Sequence, residues 1–342
     1  MIRSLTCGIV FYDEVNELKR LVPQLKTELS GYTVEWLFIL NHEQREIRQW
    51  IKKWISENIS GAVCIENPSN NLGYARQLLL ENAANPYIYM TDPDIDLKPQ
   101  SLIKLIQLAE VESLNDRSLH ILGYGGTVIN KSTNYFLQTT NDFIFKLAKK
   151  LPFSFQIQNH SHLETVDHLP SCHLLLKKEE SLAIGGFSAL FNKVGEDLDF
   201  THRAYNEDFR FIFLPSSQVY HNQNLSFEKW LYKMFLFGKV QITVQKLNFS
   251  KGLRLYRFLP LLLLLIISVL TFFAYIQVLI ATLVVLTVSL FRPAFLGFIL
   301  TTLCYAVGEL FEIVYPTAEL KNEQELQALT KDLSSLVQRA NS

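Results

Sequence analysis

Cysteine is scarce in this sequence, and its four copies lie far apart. Cys7, Cys64, Cys172 and Cys304 show none of the close spacings that hold a structural metal. Each lies in an apolar or strand-like segment, so the disulfide framework of a small secreted protein is not expected. We expect four reduced thiols in the core of a cytoplasmic protein.

An excess of charge of either sign is also missing. The 342 residues include 32 lysines and arginines against 33 aspartates and glutamates, which gives a net charge of −1. Nucleic-acid-binding domains carry a basic excess, so we expect no nucleic-acid partner. The N-terminal apolar run is too short for a signal peptide and is followed at once by acidic residues, so it is better explained as a first strand.

Glycine is sparse as well, with 14 copies. Gly123, Gly125 and Gly126 stand in a predicted strand over 119–129, but their spacing is too irregular for a dinucleotide-binding fingerprint. We expect them to relieve crowding in a twisted strand or an acceptor cleft.

Long hydrophobic runs, in contrast, are present near the C-terminus. The chain is continuously apolar from Phe258 to Phe291, between two arginines. At about 1.5 Å per residue, one helix of this length would exceed the roughly 30 Å hydrocarbon core of a bilayer, so a hairpin of two short spans is predicted. A third span over 293–315 is a candidate, although Glu309 and Glu312 near its end count against it.

Basic residues crowd the approach to this apolar run. They are Lys229, Lys233, Lys239, Lys246, Lys251, Arg254 and Arg257. By the positive-inside rule, they predict a multi-pass protein of the cell inner membrane with its large domain in the cytoplasm. The stretch from Phe227 to Val240 mixes lysines with aromatic and aliphatic residues and predicts an interfacial helix that lies on the membrane lipid of the inner leaflet.

Short apolar runs alternate with amphipathic helices in the first part of the chain. Strands are predicted at Leu5–Phe11, Val34–Leu40 and Ala62–Ile65, with helices over 14–29 and 44–57 between them. Such alternation predicts an α/β fold with a mostly parallel, Rossmann-like sheet, which is a nucleotide-binding architecture.

A cluster of carboxylates follows the next predicted strand, Tyr87–Met90. Asp92, Asp94 and Asp96 stand where that strand ends, which is the edge at which open α/β sheets bind ligands. Carboxylates two residues apart on a turning backbone can converge on one hard cation, and Mg²⁺ or Mn²⁺ fits such oxygen ligands. The alternative is that these residues only cap the helix that follows.

A second acidic pair, Glu196-Asp197, begins a helix after the turn at Gly185-Gly186-Phe187. One carboxylate there could act as a general base, whereas the plainer explanation is that acids in a first turn complement the helix dipole. Two strands, 209–214 and 218–220, come next, and His221 ends the second. By its position alone, His221 is an ordinary surface histidine at a strand end.

The order of these motifs resembles the inverting, nucleotide-sugar-dependent glycosyltransferases of family 2, which have the GT-A fold. The resemblance rests on the loop and helix of Asn71, Gly73 and Arg76 and on the strand that ends in Asp92-Pro93-Asp94, and it extends from about residue 4 to residue 221. The form with proline inside the motif is similar to rhamnosyltransferase-like and polysaccharide-assembly members.

The resemblance implies a role for each of these positions. It implies that Asp92, Asp94 and His221 hold the divalent cation and that Asp197 of the Glu196-Asp197 pair is the base. It places Tyr12, Asp13, Asn41, Asn71, Gly73, Arg76 and Asp92 at the donor. Arg76 is expected to pair with a phosphate or with Asp92, and Asn41-His42-Glu43 stands where the family usually carries acidic residues that help to recognise the base.

Four segments are therefore predicted: a GT-A catalytic domain over 1–225, an interfacial segment over 226–256, two or three transmembrane helices over 257–316, and a polar tail over 317–342. The predicted function is transfer of a sugar, with inversion, from a nucleotide-diphosphate donor to a polyprenyl-linked or growing glycan acceptor. A polyprenyl-phosphate sugar synthase and a non-catalytic scaffold of a polysaccharide assembly are the alternatives. A channel is disfavoured because the apolar run has almost no polar groups before Glu309.

Overall fold

The computed structural model describes residues 2–113, 120–148, 163–247, 258–273, 280–285, 287, 292–316 and 323–341. These residues belong to two compact units. The first, the α/β unit, takes its described residues from 1–129, 160–221 and 321–342, and the second, the helical unit, takes them from 130–159 and 222–320.

Nine strands of the described chain form one mixed sheet. They are β1 (Ser4–Phe11), β2 (Thr33–Asn41), β3 (Val63–Asn67), β4 (Tyr87–Thr91), β5 (Ile95–Leu97), β6 (His120–Lys131), β7 (Glu164–Val166), β8 (His173–Lys177) and β9 (Phe209–Asn222). Their order is β3-β2-β1-β4-β8-β6-β9-β5, and β7 pairs with β9. Strand β3 therefore lies at one edge of the sheet.

The first half of the sheet is parallel, as the alternating pattern predicts. Strands β3, β2, β1 and β4 are parallel neighbours, and they are connected by α1 (Val15–Glu28), α2 (Arg45–Asn58) and α3 (Leu72–Asn82). The boundaries of the first three strands and two helices lie within two residues of the predicted ones. The α/β prediction is confirmed here because local hydrophobic periodicity decides these elements.

The second half of the sheet is antiparallel. Strand β8 pairs with β4 and with β6, and β5 pairs with β9, all in antiparallel register. One long strand, β9, covers the stretch that was predicted as two strands, and it brings its C-terminal end beside β5. The remaining helices of the α/β unit are α4 (Ser101–Ser113), α6 (Lys178–Ala183), α7 (Glu196–Asn206) and α11 (Glu323–Asn341), and α5 belongs to the helical unit.

The two faces of the sheet carry separate cores, because successive side chains of a strand point to opposite faces. On β2, Phe38 and Leu40 join one apolar cluster, and Leu37 and Ile39 join the other. The second cluster includes Leu333 and Val337 of α11. The C-terminal helix is therefore part of the α/β unit's core.

The helical unit consists of α5 (Tyr135–Ala148), α8 (Phe227–Leu247), α9 (Leu259–Phe273) and α10 (Pro293–Val314) in its described part. Helices α8 and α10 approach closely at Gly238 and Gly308. A Cβ at Gly238 would lie 2.0 Å from the carbonyl oxygen of Tyr305, and one at Gly308 would lie 2.1 Å from that of Phe235. Only glycine permits such an approach of two backbones.

Among the described residues, α10 is the one helix long and apolar enough to cross a membrane. Helix α9 is apolar but has only 15 residues. The predicted hairpin over 258–291 lies partly outside the described residues, so two or more spans stay a prediction. The predicted interfacial segment over 226–256 likewise stays a prediction.

Candidate functional site

The two aspartates at the end of β4 meet a histidine that is far away in sequence. The backbone N–H of Ile95 donates to the carbonyl oxygen of Asp92 at 3.3 Å, which closes a turn directly after β4. Ile95 then pairs with His221 in the antiparallel ladder of β5 and β9. As a result, His221 Nε2 lies 3.1 Å from Asp94 Oδ2.

Asp92, Asp94 and His221 offer one ligand atom each, and these atoms all lie within 4.8 Å of one another. All three side chains are half-buried, so a ligand can reach them. Two carboxylates and one imidazole form a donor set that suits Mn²⁺ or Mg²⁺ together with ligand phosphates. The residues therefore fit the divalent cation that the sequence predicts, and this geometry is consistent with their predicted role as ligands.

The third carboxylate of the motif faces away from this cluster. Asp96 pairs with Arg20 of α1 and accepts a hydrogen bond from Gln24 at 3.2 Å. Asp94 lies in the turn before β5, whereas Asp96 lies within β5, so the two carboxylates point in different directions although they are only two residues apart. Asp96 thus ties β5 to α1, and only two of the three aspartates belong to the site.

Arg76 connects the cluster to the second acidic pair. It is buried in α3, and it donates from Nη2 to Asp92 Oδ1 at 3.0 Å and from Nε to Glu196 Oε1 at 2.9 Å. Burial alone would lower the pKa of Arg76, but the carboxylates of Asp92 and Glu196 hold this pKa above its usual value. Of the two predicted partners, a phosphate or Asp92, the structure shows Asp92.

Glu196 and Asp197 begin α7 but lie in different surroundings. Glu196 is buried, and burial together with the neighbouring Asp197 carboxylate raises its pKa, against the effect of Arg76. Asp197 is half-buried; its Oδ1 accepts the N–H of Leu198 at 2.8 Å, and its Oδ2 faces Ser171 at 3.4 Å. Glu196 is held in an ion pair, and Asp197 is the more accessible of the two carboxylates.

The contacts of Arg76 show that the two acidic groups face one region, because Arg76 pairs with both Asp92 and Glu196, and Asp197 follows Glu196 directly. Burial raises the pKa of the Cys172 thiol, and the charges of Asp92, Asp94 and Asp197 raise it further. The structure brings the predicted metal ligands and the predicted base together on one edge of the sheet.

Arg203 of α7 fixes the turn that precedes this helix. Gly185 and Gly186 have φ values of 89° and 60°, a left-handed conformation that favours glycine. Arg203 donates to the carbonyl oxygens of Ile184 and Gly186 at 2.8 and 2.6 Å and pairs with Asp199 at 2.8 Å. Arg203 thus holds the turn rather than standing at the predicted donor residues.

Asn71 and Gly73 contact protein backbone at the start of α3. Asn71 Oδ1 accepts the N–H of Tyr74 at 2.9 Å as the helix N-cap, and its Nδ2 donates to the carbonyl oxygen of Ala189 at 2.7 Å. A Cβ at Gly73 would lie 2.1 Å from the carbonyl oxygen of Ser188. Both residues fit α3 against the segment around residues 188–191, and direct contact of either with a donor stays a prediction.

Tyr12, Asp13 and Asn41 lie at the carboxyl ends of β1 and β2. Tyr12 and Asp13 are exposed, and the ring of Tyr12 lies 4.7 Å from that of His42. Asn41 is buried, and its Oδ1 accepts a hydrogen bond from Asn67 at 2.8 Å. These positions are consistent with a base-binding end of the site.

Glu14 is a functional candidate that sequence reasoning missed. Its carboxylate accepts the backbone N–H groups of Tyr12 and Asp13, at 3.2 and 3.1 Å. Burial raises the pKa of Glu14 to about 7, although these two hydrogen bonds lower it, and the charge of Asp94 raises it further. The signal that could have found it is the run of Tyr12, Asp13 and Glu14 after β1, which places an acid near Asp94.

Comparison with known proteins finds a matching family and a relative. Residues 6–178 match the family described as Glycosyl transferase family 2. The low-salt glycan biosynthesis hexosyltransferase Agl10 of Haloferax volcanii is 22% identical over 256 residues, which are 74% of this chain and 79% of that protein. The family match and this relative were both identified from sequence.

A solved structure resembles the whole fold. The mannosyltransferase PcManGT from Pyrobaculum calidifontis, in complex with GDP-Man and Mn²⁺, superposes with a TM-score of 0.60 at 12% identity and covers 92% of this chain and 88% of its own. At that identity the likeness concerns the fold. The predicted α/β fold of the GT-A type is confirmed, with a sheet that is mixed.

Proposed function

Because this chain belongs to glycosyl transferase family 2 and is a glycosyltransferase, we propose that it moves a sugar, with inversion, from a nucleotide-diphosphate donor to a lipid-linked or growing glycan acceptor at the inner face of a membrane. The observation that carries the proposal is the convergence of Asp92, Asp94 and His221 within 4.8 Å at the ends of β4 and β9. Strand ends of an open α/β sheet are where such folds bind ligands.

The donor side of the proposal rests on the parallel half of the sheet. Tyr12, Asp13 and Asn41 border the nucleotide, and Asn71, Gly73 and Arg76 shape the pyrophosphate region. PcManGT is described in complex with GDP-Man and Mn²⁺, which supports a nucleotide sugar and a divalent cation as the ligands. Asp92, Asp94 and His221 would hold Mg²⁺ or Mn²⁺, and the bound cation would supply positive charge for the departing diphosphate.

The base is Asp197. It takes the proton of the acceptor hydroxyl as the new glycosidic bond forms and the bond to the donor phosphate breaks. Glu196 is buried in the ion pair with Arg76 and keeps Arg76 pointed at Asp92. Glu196 therefore orients a ligand of the cation, and Asp197 performs the proton transfer.

The membrane side of the proposal rests on the helical unit. Helix α9 exposes eight large apolar side chains, namely Leu259, Leu262, Leu263, Leu265, Ile266, Ile267, Val269 and Leu270. Such a surface is unfavourable in water and suits the bilayer. We place the protein in the cell inner membrane with multiple passes, α8 on the inner leaflet and the α/β unit in the cytoplasm.

The acceptor carries a lipid or a glycan. An apolar groove of about 260 Å³ in the helical unit is lined by Asn134, Phe136, Phe227, Leu296 and Leu300 and could receive part of a hydrocarbon chain. The relative Agl10 is described as a hexosyltransferase of glycan biosynthesis, which supports a glycan product.

A donor screen tests the proposal. The detergent-solubilised full chain is incubated with UDP-, GDP- and dTDP-sugars in Mn²⁺ or Mg²⁺, together with a polyprenyl-linked acceptor, and nucleotide release is followed. We expect release with one donor class, loss of release with EDTA, and recovery when the cation is restored. Release that does not depend on a divalent cation, or none with any donor, would contradict the proposal.

A further inference from the structure

The C-terminal helix completes the exposed edge of the sheet beside the donor region. Strand β3 is the edge strand, so one side of its backbone has no neighbouring strand in the part of the chain that the structure describes. The side-chain amide of Asn341 fills that place at Glu66: Asn341 Oδ1 accepts the backbone N–H of Glu66, and Asn341 Nδ2 donates to its carbonyl oxygen, both at 2.9 Å. One carboxamide thus makes the two hydrogen bonds that a strand residue would make.

Glu66 lies beneath one of the two loops that border the donor. Its carboxylate pairs with Arg48 Nε at 3.0 Å, and both side chains are buried. Arg48 in turn donates to the carbonyl oxygens of His42 and Glu43 at 2.6 and 2.8 Å. Through Arg48, Glu66 therefore holds the segment that follows Asn41.

The next residue, Asn67, connects to the other loop. Its Nδ2 donates to Asn41 Oδ1 at 2.8 Å, and its Oδ1 accepts the hydroxyl of Ser69 at 2.7 Å. Ser69 Oγ also accepts the N–H of Asn71 at 3.3 Å. Glu66 and Asn67 therefore contact both the segment that follows Asn41 and the loop that leads into α3.

A second contact of α11 acts on α3 directly. Ser334 Oγ accepts the hydroxyl of Tyr74 at 3.0 Å, and the N–H of Tyr74 is the one that Asn71 caps. Leu333 and Val337 are buried in the same apolar cluster as Tyr74. Packing docks the helix, and the two polar contacts fix its register against β3 and α3.

From these contacts we infer that α11 is a structural part of the donor site and that Asn341 is a positioning residue for nucleotide binding. Asn341 does not touch the donor; it holds Glu66, whose side chain and neighbour hold the two loops. The inference rests on the proposed function, because it takes those loops to be the nucleotide-binding ones.

Asn341→Ala and Asn341→Asp test the inference in the full-length chain. Alanine removes both hydrogen bonds and leaves Leu333 and Val337 packed. Aspartate has the shape of asparagine, but it places a carboxylate oxygen against the carbonyl oxygen of Glu66, where asparagine has the N–H group that donates the hydrogen bond. We expect both variants to weaken nucleotide affinity and to raise the donor KM by roughly tenfold, the equivalent of one to two net hydrogen bonds, while kcat stays nearly unchanged.

The readouts are calorimetric titration with UDP, GDP or dTDP in Mn²⁺, whichever binds the wild type, and steady-state kinetics. Leu336→Ala is the matched control, since Leu336 lies on the same helix and is 42% exposed, and it should behave as the wild type. If both Asn341 variants bound nucleotide with the affinity of the wild type, the inference would be overturned but the proposed function would not. A change in kcat or in thermal stability with unchanged nucleotide affinity would have the same consequence. Absence of nucleotide binding by the wild type would overturn both the inference and the proposed function.

Discussion

Replacing Asp197 by asparagine should slow turnover by about 10²–10⁴-fold, because a general base contributes roughly 3–5 kcal/mol to lowering the barrier. Asparagine keeps the shape of the side chain, and its Oδ1 can still accept the N–H of Leu198 that Asp197 accepts at 2.8 Å. The helix start is therefore preserved, and only the capacity to take a proton is lost.

Donor binding should stay nearly unchanged in Asp197→Asn. The carboxylate faces Ser171 and its own helix, whereas Arg76 contacts Asp92 and Glu196. We therefore expect kcat to fall while nucleotide affinity, measured by calorimetry with Mn²⁺, stays within about twofold of the wild type. Asp208→Asn serves as the matched control, since its side chain is 84% exposed and lies on the turn after α7.

Glu196→Gln should fail in a different way. It breaks a buried ion pair in which both side chains are 4% exposed, which typically costs about 3 kcal/mol or more of folding free energy. We expect a lower thermal midpoint and weaker cation binding, because Arg76 is released from one of its two carboxylates. Chemical denaturation and steady-state kinetics of Asp197→Asn and Glu196→Gln separate the loss of folding stability from the loss of turnover.

Several results would refute the assignment of Asp197. If Asp197→Asn lost nucleotide affinity with an unchanged kcat, the residue would belong to the donor or cation site. Normal turnover in Asp197→Asn with a folded but inactive Glu196→Gln would move the base to Glu196. Normal turnover in both would favour an acceptor phosphate, which needs little base catalysis, and hence a polyprenyl-phosphate sugar synthase.

Three further perturbations test the fold and the membrane attachment. Gly73→Ala should cost about 1–3 kcal/mol in urea unfolding, because its Cβ would lie 2.1 Å from a backbone carbonyl oxygen; an unchanged midpoint would contradict that close approach. Burial lowers the pKa of His173 to about 3. Between pH 6.5 and 3 the unfolded chain therefore binds a proton that the folded chain excludes. The free energy of unfolding should then fall by roughly 1.4 kcal/mol for each pH unit as the pH falls. His173→Gln should reduce that slope, and an equal slope in both proteins would refute the assignment. Leu265→Asp combined with Val269→Asp, both exposed on α9, should lower the fraction of the chain that stays in carbonate-washed membranes, whereas Val111→Asp on α4 should not. An unchanged fraction in the double variant would show that α10 anchors the chain without a contribution from α9.

Local pattern was sufficient for the first half of the site. The run Tyr87–Met90 followed by Asp92 and Asp94 predicts a strand end with converging carboxylates, and the structure places them so. Strand periodicity and turn chemistry act over a few residues, so a single sequence contains the information. The direction of Asp96 away from the site does not follow from strand alternation, because residues two apart in a strand share a face. It arises because Asp94 lies in the turn before β5, and that turn is not visible in the sequence.

Contacts between distant residues were beyond sequence reasoning. His221 reaches Asp94 because β5 and β9 pair with Ile95 opposite His221, and that register depends on strands more than a hundred residues apart. The ion pair of Arg76 with Glu196 likewise needs α3 and α7 to pack together. Only the resemblance to a family placed His221 near the cation.

The C-terminal helix shows a different limit. Its apolar positions, Leu329, Leu333 and Val337, follow helical spacing, although the tail as a whole is polar. Periodicity indicates that one face is buried, but it does not identify the surface that covers it. The pairing of Asn341 with the backbone of Glu66 is a tertiary contact of one side chain, for which a sequence has no local signal.

The central claim, that Asp92, Asp94 and His221 hold a cation that binds the donor, is tested most directly by calorimetric titration of the nucleoside diphosphate with and without Mn²⁺ on Asp94→Asn. Asp96→Asn is the matched control, since its carboxylate belongs to the same motif but faces Arg20 and Gln24. The account predicts that the wild type and Asp96→Asn bind nucleotide tightly only with Mn²⁺, and that Asp94→Asn loses this dependence together with most of the affinity. An Asp94→Asn protein that is folded and keeps the wild-type response to Mn²⁺ would contradict the account.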